Sequence, residues 1–512
     1  MENRLKFLCQ RGKQFSSANQ QLIKRVVRFV LAALVMLALT LKLSTILLVL
    51  TFAMWMVNMI YAAKKPKQRL FFLLFHITFF TFLLDRPLIA LVQPGSWIEH
   101  QITNYGATED SVFRMVYCML TSLAGLLAGN IWAEHKIERK CTDVACEPPK
   151  HRMQLEHEWL QTVRMLSLVL FMVSVIFKMI LEMEKALFIV QNSYLEYYSK
   201  FTSNMPYIVY IISTFLPYAM CAYIATLPRK RSAYIVLGIY VITAVPTALT
   251  GERSKIVINL FVALAYFVFR DYLNPTEKWI GKVEKAMMVC GGTVGIVVLG
   301  AMNYIREGSE IQQGILGLIV DFFYKQGVTF SWICAGLGRI ETLRNMGVTN
   351  YTFGGIIDYV THGVLAQKLF HTQAIPNGNN LIQISDGNVM SHHLSYVIMG
   401  REQYLAGHGT GSSYLLEIYT DYDMLGLLLF SVAMGGLLAW VVYSARKNAI
   451  VRMFAFCGLG ELLMMPRSSA IGFLEFLWRI PFWCTIIYLA VGATLICKLQ
   501  KRNRHSGIAN TK

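Results

Sequence analysis

Charged residues are scarce in this 512-residue chain: they make up 15% of it, against about 25% in an average soluble domain. Hydrophobic residues make up 55%, and the mean hydropathy is +0.46. This composition excludes a soluble single domain and a disordered chain. It predicts an all-α protein that crosses a membrane many times.

The sequence also lacks the patterns of a disulfide framework, a metal site or a nucleotide-binding loop. Most of its ten cysteines lie in apolar runs, where a free cysteine behaves as a small hydrophobe. Cys141 and Cys146 lie in a polar segment with His135 and His151, but their spacing matches zinc-binding patterns poorly. We therefore predict no metal, no cofactor and no ATP hydrolysis, with zinc held by these four residues as the less favoured alternative.

Apolar runs of about 16 to 25 residues recur along the chain, which is the length that crosses a bilayer. They predict twelve membrane-spanning helices near residues 26–41, 43–62, 70–92, 111–132, 162–181, 206–227, 233–250, 256–270, 286–303, 423–443, 450–465 and 470–497. Lys42 separates the first two spans, and Pro481 interrupts the last one.

Lysine and arginine are concentrated on one side of the predicted membrane. With the N-terminus inside, seven inner segments hold 32 of the 48 Lys and Arg residues but 10 of the 30 Asp and Glu residues. Short basic loops stay in the cytoplasm, so both termini are predicted to be cytoplasmic. The net charge of +18 therefore reflects the basic cytoplasmic loops, and it does not indicate nucleic-acid binding.

This topology divides the chain into three parts. Residues 1–303 hold nine spans with basic inner loops, residues 304–421 form one large outer loop, and residues 422–512 hold three spans and a basic tail. The loop is far longer than an ordinary connection, and function is often carried by such loops. It contains an apolar stretch at 315–340 that is compatible with amphipathic helices.

Cations on the outer side oppose the positive-inside tendency and need an explanation. They are Arg253, Lys255, Arg306, Lys325, Arg401 and Arg467. A guanidinium binds phosphate oxygens bidentately, so a polyanionic ligand such as a lipid pyrophosphate would account for them. The alternative is contact with lipid headgroups or pairing with a nearby acid.

Two further charged pairs, Asp85 with Arg86 and Glu475 with Arg479, fall inside the predicted membrane, where a charge is costly unless it is paired. A structural ion pair is the favoured interpretation of both. At the outer interface, Ser413 to Glu417 is predicted to begin a helix that enters the membrane. A plain loop-to-helix transition is the alternative there.

Short motifs follow one another in a definite order between residues 230 and 480. They are Gly-Glu-Arg-Ser-Lys at 251–255, Lys-Gln-Gly-Val-Thr at 325–329, Ser-Tyr at 395–396, Tyr-Leu-Ala-Gly at 404–407, the run from Gly409 to Tyr419, Gly426, and Pro466-Arg467. In this order they resemble the Wzy-type O-antigen and capsule polysaccharide polymerases of bacteria. One departure is Asp-Tyr-Asp at 421–423, where the family usually has Asn/Asp-Phe-Gly.

The resemblance implies a GT-C-like, metal-independent glycosyltransferase in the bacterial inner membrane. Repeat units linked to undecaprenyl pyrophosphate would reach the outer face, where the growing glycan is transferred to the new unit. A flippase and a chain-length regulator would be its partners. An O-antigen-ligase-like transferase and a lipid-linked oligosaccharide flippase or transporter are the alternatives, and the long outer loop disfavours a transporter.

Such a transfer needs positive charge to stabilise the leaving pyrophosphate, and it can use a base that accepts a proton from the acceptor hydroxyl. The six outer cations named above would supply the charge. The candidate bases are Glu417, His393 and His408, which the sequence does not rank firmly. Motif position favours Glu417 as an important residue, either as the base or as an orienting group.

Overall fold

The computed structural model describes residues 36–102, 106–141, 150–191, 201–249, 254–273, 277–286 and 314–509, with single positions or short pieces between 290 and 301. Within these ranges the chain is helical and contains no β-strand. Arg253, Arg306, Cys146 and most of the predicted spans 26–41 and 286–303 lie outside the described residues.

The helices follow one another in this order: α1 (Ser44–Lys64), α2 (Leu70–Phe79), α3 (Asp85–Leu91), α4 (Glu99–Ile102), α5 (Glu109–Cys141), α6 (Lys150–Gln191), α7 (Tyr207–Ser213), α8 (Leu216–Ala225), α9 (Lys230–Ile242), α10 (Val245–Leu249), α11 (Ser254–Leu273), α12 (Ile315–Gln326), α13 (Val328–Gly338), α14 (Ile340–Arg344), α15 (Gly354–His362), α16 (Val364–Phe370), α17 (Leu381–Ser385), α18 (Met390–Leu405), α19 (Tyr414–Lys447), α20 (Ala449–Met464) and α21 (Ile480–Ala509). A π-helical segment, Phe80–Leu84, joins α2 to α3.

Nine helical segments among the described residues are long and apolar enough to cross a membrane. They are Ser44–Lys64, Leu70–Leu91, Glu109–Arg139, Glu158–Ile189, Tyr207–Ala225, Lys255–Leu273, Tyr414–Lys447, Ala449–Arg467 and Ile480–Gln500. Each of them overlaps one of the twelve predicted spans. The protein is therefore a polytopic helical membrane protein.

The predicted span 233–250 is divided into α9 and α10, because the helix is interrupted after Ile242. Pro246 has no backbone N–H to continue the ladder, and Thr243 Oγ1 donates to Tyr240 O at 2.7 Å. The last predicted span also differs in its bounds, since α21 begins at Ile480 rather than at residue 470. Pro481 lies in its first turn, where a proline is tolerated.

The helices α5 and α19 pack closely along a seam of glycines. A Cβ atom at Gly129 would lie 1.8 Å from Val432 O, and one at Gly435 would lie 2.0 Å from Leu126 O. Asn130 Nδ2 adds a hydrogen bond of 3.0 Å to Gly435 O. In lipid, the hydrophobic effect does not drive helices together, so association relies on close packing, and small residues let two helix backbones approach each other. The seam therefore fixes α19 against α5.

The long helix α19 is broken at Asp423, whose φ of 55° and ψ of −161° lie in a region that favours glycine. Arg344 bridges the break: its guanidinium donates to Asp423 Oδ1 at 2.6 Å, to Tyr419 O at 3.2 Å and to Thr420 O at 3.1 Å. Asp423, at the position where the motif of the resembling family usually has glycine, thus adopts a backbone conformation that glycine adopts readily. The predicted span 423–443 begins at this break.

Between α11 and α19, residues 314–413 form the short helices α12 to α18. The apolar stretch at 315–340 is helical, as predicted, and it consists of α12 and α13 separated at Gly327. In α13 the side chains of Phe330, Ile333 and Cys334 are fully buried. This burial holds the Gly327 end of α13 against the ends of the spanning helices.

Candidate functional site

Arg467 lies in the 3₁₀ turn Met465–Arg467, directly after α20, and it faces the turn between α12 and α13. Its Nη1 donates to Gln326 Oε1 at 3.1 Å, and its guanidinium carbon lies 5.7 Å from the centre of the Phe82 ring. Lys325, next to Gln326, forms an ion pair of 3.3 Å with Asp321. Two of the predicted outer cations, Arg467 and Lys325, are thus brought into one region.

Glu417 is 1% exposed and lies in the first turn of α19. The helix begins as predicted, because Ser413 Oγ accepts a hydrogen bond from Leu415 N at 3.3 Å and caps it. Glu417 Oε1 accepts from Ser412 Oγ at 2.8 Å, and Oε2 accepts from Ala470 N at 2.8 Å. The carboxyl group therefore joins the start of α19 to the segment that follows Arg467.

The glycine-rich segment before α19 also packs beside Arg467. Gly411 has a φ of 76°, and a Cβ atom there would lie 3.6 Å from Arg467 O. Thr410 N donates to Ser395 Oγ at 3.0 Å, which attaches this segment to α18. The motifs at 325–329, 395–396, 409–419 and 466–467 are far apart in sequence, but they meet here in space.

The turn at Gly327 is also pressed against α3. A Cβ atom at Gly327 would lie 2.1 Å from Asp85 Oδ1 and 2.5 Å from Arg86 Cβ. Arg86 Nη1 donates to Tyr324 O at 3.2 Å, and the guanidinium lies 4.2 Å from the centre of the Tyr324 ring. Only a residue without a side chain fits between α12 and α13 at this position.

We expect Gly327→Ala to destabilise the protein by about 1–3 kcal/mol, the usual cost of forcing an extra methyl group into a packed site. A lower melting temperature of the detergent-solubilised protein would show this. Gly355→Ala is the matched control in the same part of the chain, because a Cβ atom at Gly355 meets no atom within 4 Å. Equal melting temperatures for the two variants would contradict the close packing at Gly327.

His393 is fully buried on α18. Its Nε2 lies 3.0 Å from Ile384 O, and because a carbonyl only accepts, this nitrogen carries the proton. The ring packs edge-on against Tyr351 with 5.6 Å between ring centres. Burial lowers the pKa of His393, so the imidazole is neutral near neutral pH. His393 is enclosed by protein.

Arg401 and His408 are exposed, in contrast to His393. Arg401 follows Gly400, whose φ of 80° interrupts α18. Asn379 Nδ2 holds the backbone around His408 through hydrogen bonds to Tyr404 O at 2.7 Å and His408 O at 2.8 Å. Among the described residues, no hydrogen bond or ion pair joins Arg401 or His408 directly to Arg467 or Glu417.

Lys255 is exposed at the start of α11 and interacts electrostatically with Glu461 on α20. Glu461 in turn lies near the segment after Arg467, since its Oε2 would be 3.9 Å from a Cβ atom at Gly472. Of the six predicted cations, Lys255, Lys325, Arg401 and Arg467 lie in the described part of the chain, and Arg253 and Arg306 lie outside it.

The two predicted ion pairs have different outcomes. Glu475 and Arg479 form the predicted ion pair, although not on an α-helix: Glu475 lies in the 3₁₀ segment Gly472–Trp478, and Arg479 follows it with an extended backbone. The interpretation of Asp85 and Arg86 as an ion pair is wrong, because adjacent residues in a helix do not face each other. Asp85 Oδ1 instead accepts from Arg86 N at 2.6 Å, and the Arg86 guanidinium turns to Tyr324 and to Gln101 Oε1 at 3.3 Å.

The part of the chain that the structure describes contains no group of three or more His, Cys, Asp or Glu residues that could hold a metal ion. It does contain contacts that residue types alone did not single out: Gln326, Ser412 and the backbone N–H of Ala470. Gln326 and Ser412 lie inside the quoted motifs, so the motif order carried a signal for them.

The fold and the site define a multi-pass helical membrane protein with cations and a buried carboxyl group gathered at the ends of its spans. The family model for the O-antigen polysaccharide polymerase Wzy matches residues 23–500, and the chain belongs to this family. It is therefore a polysaccharide polymerase of the bacterial inner membrane that acts on lipid-linked oligosaccharides. No curated protein and no solved structure matches the chain.

Proposed function

We propose that this polymerase transfers the growing glycan from undecaprenyl pyrophosphate to the non-reducing end of a new lipid-linked repeat unit at the outer face of the membrane. The observation that carries the proposal is that Arg467 contacts Gln326, the neighbour of Lys325, while the Glu417 carboxyl holds the backbone of Ala470, three residues after Arg467. A leaving pyrophosphate gains negative charge as the glycosidic carbon is attacked, and fixed cations stabilise that charge.

In this proposal Arg467 and Lys325 bind the pyrophosphate that leaves. Arg467 is suited to the role because Gln326, a neutral side chain, is its hydrogen-bond partner, and no carboxylate of the described residues forms an ion pair with it. Lys255, Arg253, Arg306 and Arg401 then serve the second lipid-linked unit or its approach. Glu417 positions the segment that carries Arg467, since both of its oxygens accept hydrogen bonds from the protein.

Purified protein incubated with a lipid-linked repeat unit, in EDTA and without ATP, tests the proposal. We expect a ladder of glycans that differ by one repeat unit. A ligase-like enzyme would give a single transfer to another acceptor, and a flippase would move the unit across a vesicle membrane without forming a bond. Loss of the ladder in EDTA, with recovery on addition of magnesium, would contradict metal independence.

We further propose the orientation that the basic loops predict, with both termini cytoplasmic and residues 304–421 outside. Asn377 is exposed and lies in this segment. Asn377→Cys should therefore react with a membrane-impermeant maleimide in spheroplasts. The native cysteines at 141 and 146 should react only after the membrane is permeabilised. Labelling of these two cysteines in intact spheroplasts would reverse the topology.

We also propose two partners, a flippase that delivers repeat units and a regulator of chain length. Only the resemblance to the family supports them. The proposed GT-C-like arrangement of the helices likewise rests on the family resemblance. The purified ladder assay separates the chemistry of this chain from both partners, because neither is present in it.

A further inference from the structure

We infer that Asp85, in the membrane segment Leu70–Leu91, is the group that accepts the proton of the attacking hydroxyl. The inference rests on the proposed glycosyl transfer and adds a catalytic residue to it. None of the quoted motifs contains Asp85. Three structural observations point to this residue: a buried oxygen without a partner, proximity to Arg467, and an irregular helix that presents the side chain.

Asp85 is 2% exposed, and its two oxygens differ. Oδ1 accepts a hydrogen bond from Arg86 N at 2.6 Å, whereas Oδ2 is buried and has no hydrogen-bond partner in the described protein. A buried polar atom without a partner is costly, so natural proteins keep one mainly where it has a use. Oδ2 therefore has an unused acceptor position for a substrate hydroxyl that reaches it.

Asp85 is connected to the Arg467 region by two separate routes. Gly327 packs against Asp85 Oδ1, and its neighbour Gln326 accepts the hydrogen bond from Arg467; the Cα atoms of adjacent residues are about 3.8 Å apart. Independently, Phe82 lies beneath the Arg467 guanidinium and precedes Asp85 by three residues. An attacking hydroxyl at Oδ2 would thus lie near the group that holds the leaving pyrophosphate.

The backbone just before Asp85 is a π-helical segment, Phe80–Leu84. Such segments are rare and are found frequently at functional sites, because the extra residue redirects the side chains that follow. Here it lies between the regular helices α2 and α3 and precedes Asp85 directly.

The other candidate bases are less available for proton transfer. Both oxygens of Glu417 already accept hydrogen bonds within the protein, from Ser412 Oγ and Ala470 N. His393 also has an unpartnered acceptor, Nδ1, but its Nε2 is held by Ile384 O, and no hydrogen bond within the described residues joins it to Arg467 or Gln326. His408 is exposed at a loop after α18, and no direct contact within the described residues joins it to Arg467. Asp85 combines an unpartnered acceptor oxygen with close packing against Gly327, whose neighbour Gln326 accepts the hydrogen bond from Arg467.

The acceptor hydroxyl oxygen attacks the anomeric carbon, the bond from that carbon to the pyrophosphate oxygen breaks, and its electron pair stays on the pyrophosphate. The hydroxyl proton passes to Asp85 Oδ2 and then leaves with the pyrophosphate, which restores the carboxylate. No oxidant, metal or further co-reactant enters the balance.

The test is Asp85→Asn in the purified ladder assay, with Asp110→Asn as the control. Asparagine has the size of a neutral aspartic acid, so it preserves packing but cannot accept the proton. We expect the turnover number to fall by at least about 10²-fold, a usual contribution of general base catalysis, with the KM and the melting temperature close to wild type. Asp110 pairs with Lys42 and Arg114 at a partly exposed site, where ion pairs contribute about 0–1 kcal/mol to stability, so Asp110→Asn should keep the turnover number close to wild type.

Each outcome decides the question. If Asp85 only fills space as a neutral acid, Asp85→Asn will give a near-normal ladder, which overturns the inference. A loss of turnover in parallel with a lower melting temperature or a raised KM also overturns it, since it shows a structural or binding role. Wild-type protein that gives no ladder at all contradicts the proposed function itself, independently of Asp85.

Discussion

Arg467→Ala should abolish polymer formation, lowering the rate by about 10³-fold, while the protein still inserts and accumulates in the membrane. Removing one preorganised group that stabilises developing charge costs about 10²–10³ in rate in other enzymes, and a guanidinium on a pyrophosphate lies at the upper end of that range. Arg467 has a neutral partner in Gln326, so its charge is available to a ligand. The measurement is the glycan ladder, with the protein quantified in the same membranes.

Arg467→Lys keeps the charge but loses the planar pair of donors, so we expect it to restore only part of the rate. The matched control is Arg479→Ala, another arginine near the ends of the spans, whose charge is balanced by Glu475 at an exposed site. Exposed ion pairs contribute about 0–1 kcal/mol, so this variant should make normal ladders. Equal ladders from Arg467→Ala and Arg479→Ala would remove Arg467 from the site.

Glu417→Ala should lower the polymerisation rate by about 10²–10³-fold and also lower the melting temperature. The carboxyl group accepts hydrogen bonds from Ser412 Oγ and Ala470 N, both in buried surroundings. Each such hydrogen bond contributes about 0.5–1.5 kcal/mol, and alanine would leave both donors unsatisfied. The segment that carries Arg467 would then lose its attachment to α19.

Glu417→Gln separates positioning from proton transfer. The glutamine oxygen can accept from Ala470 N, and the Ser412 hydroxyl can rotate to accept from the glutamine amide. A positioning residue should therefore keep activity within about tenfold of wild type, since most of its hydrogen bonding survives. Activity as low as that of Glu417→Ala, at an unchanged melting temperature, would show that Glu417 itself transfers the proton.

Apolar run length was sufficient to predict the spanning helices that the structure describes, because a lipid-facing helix must be apolar over its whole length. The interruption at Ile242 was not predicted, since the effect of Pro246 depends on how the neighbouring turns pack. The non-helical conformation of Asp423 within α19 was not predicted either. Its backbone conformation is one that glycine adopts readily, and the sequence shows aspartate there.

The motifs indicated which segments lie together in space better than residue chemistry alone did. Arg467, Lys325 and Glu417 lie in quoted motifs, and the structure gathers all three segments. The sequence could not identify Asp85 as a candidate base, because that inference depends on one unpartnered oxygen and on the close approach of Gly327. Both are properties of packing between segments about 240 residues apart in sequence, which no local pattern encodes.

The bond between Glu417 and Ala470 has a consequence for how the protein is made. Translation proceeds from the N-terminus, so Arg467 and Ala470, which lie in the last tenth of the chain, are the final parts of the site to leave the ribosome. In the proposed mechanism, the earlier helices therefore enter the membrane before the arginine that binds the leaving pyrophosphate has been made. We therefore expect a chain that terminates before residue 467 to form no polymer.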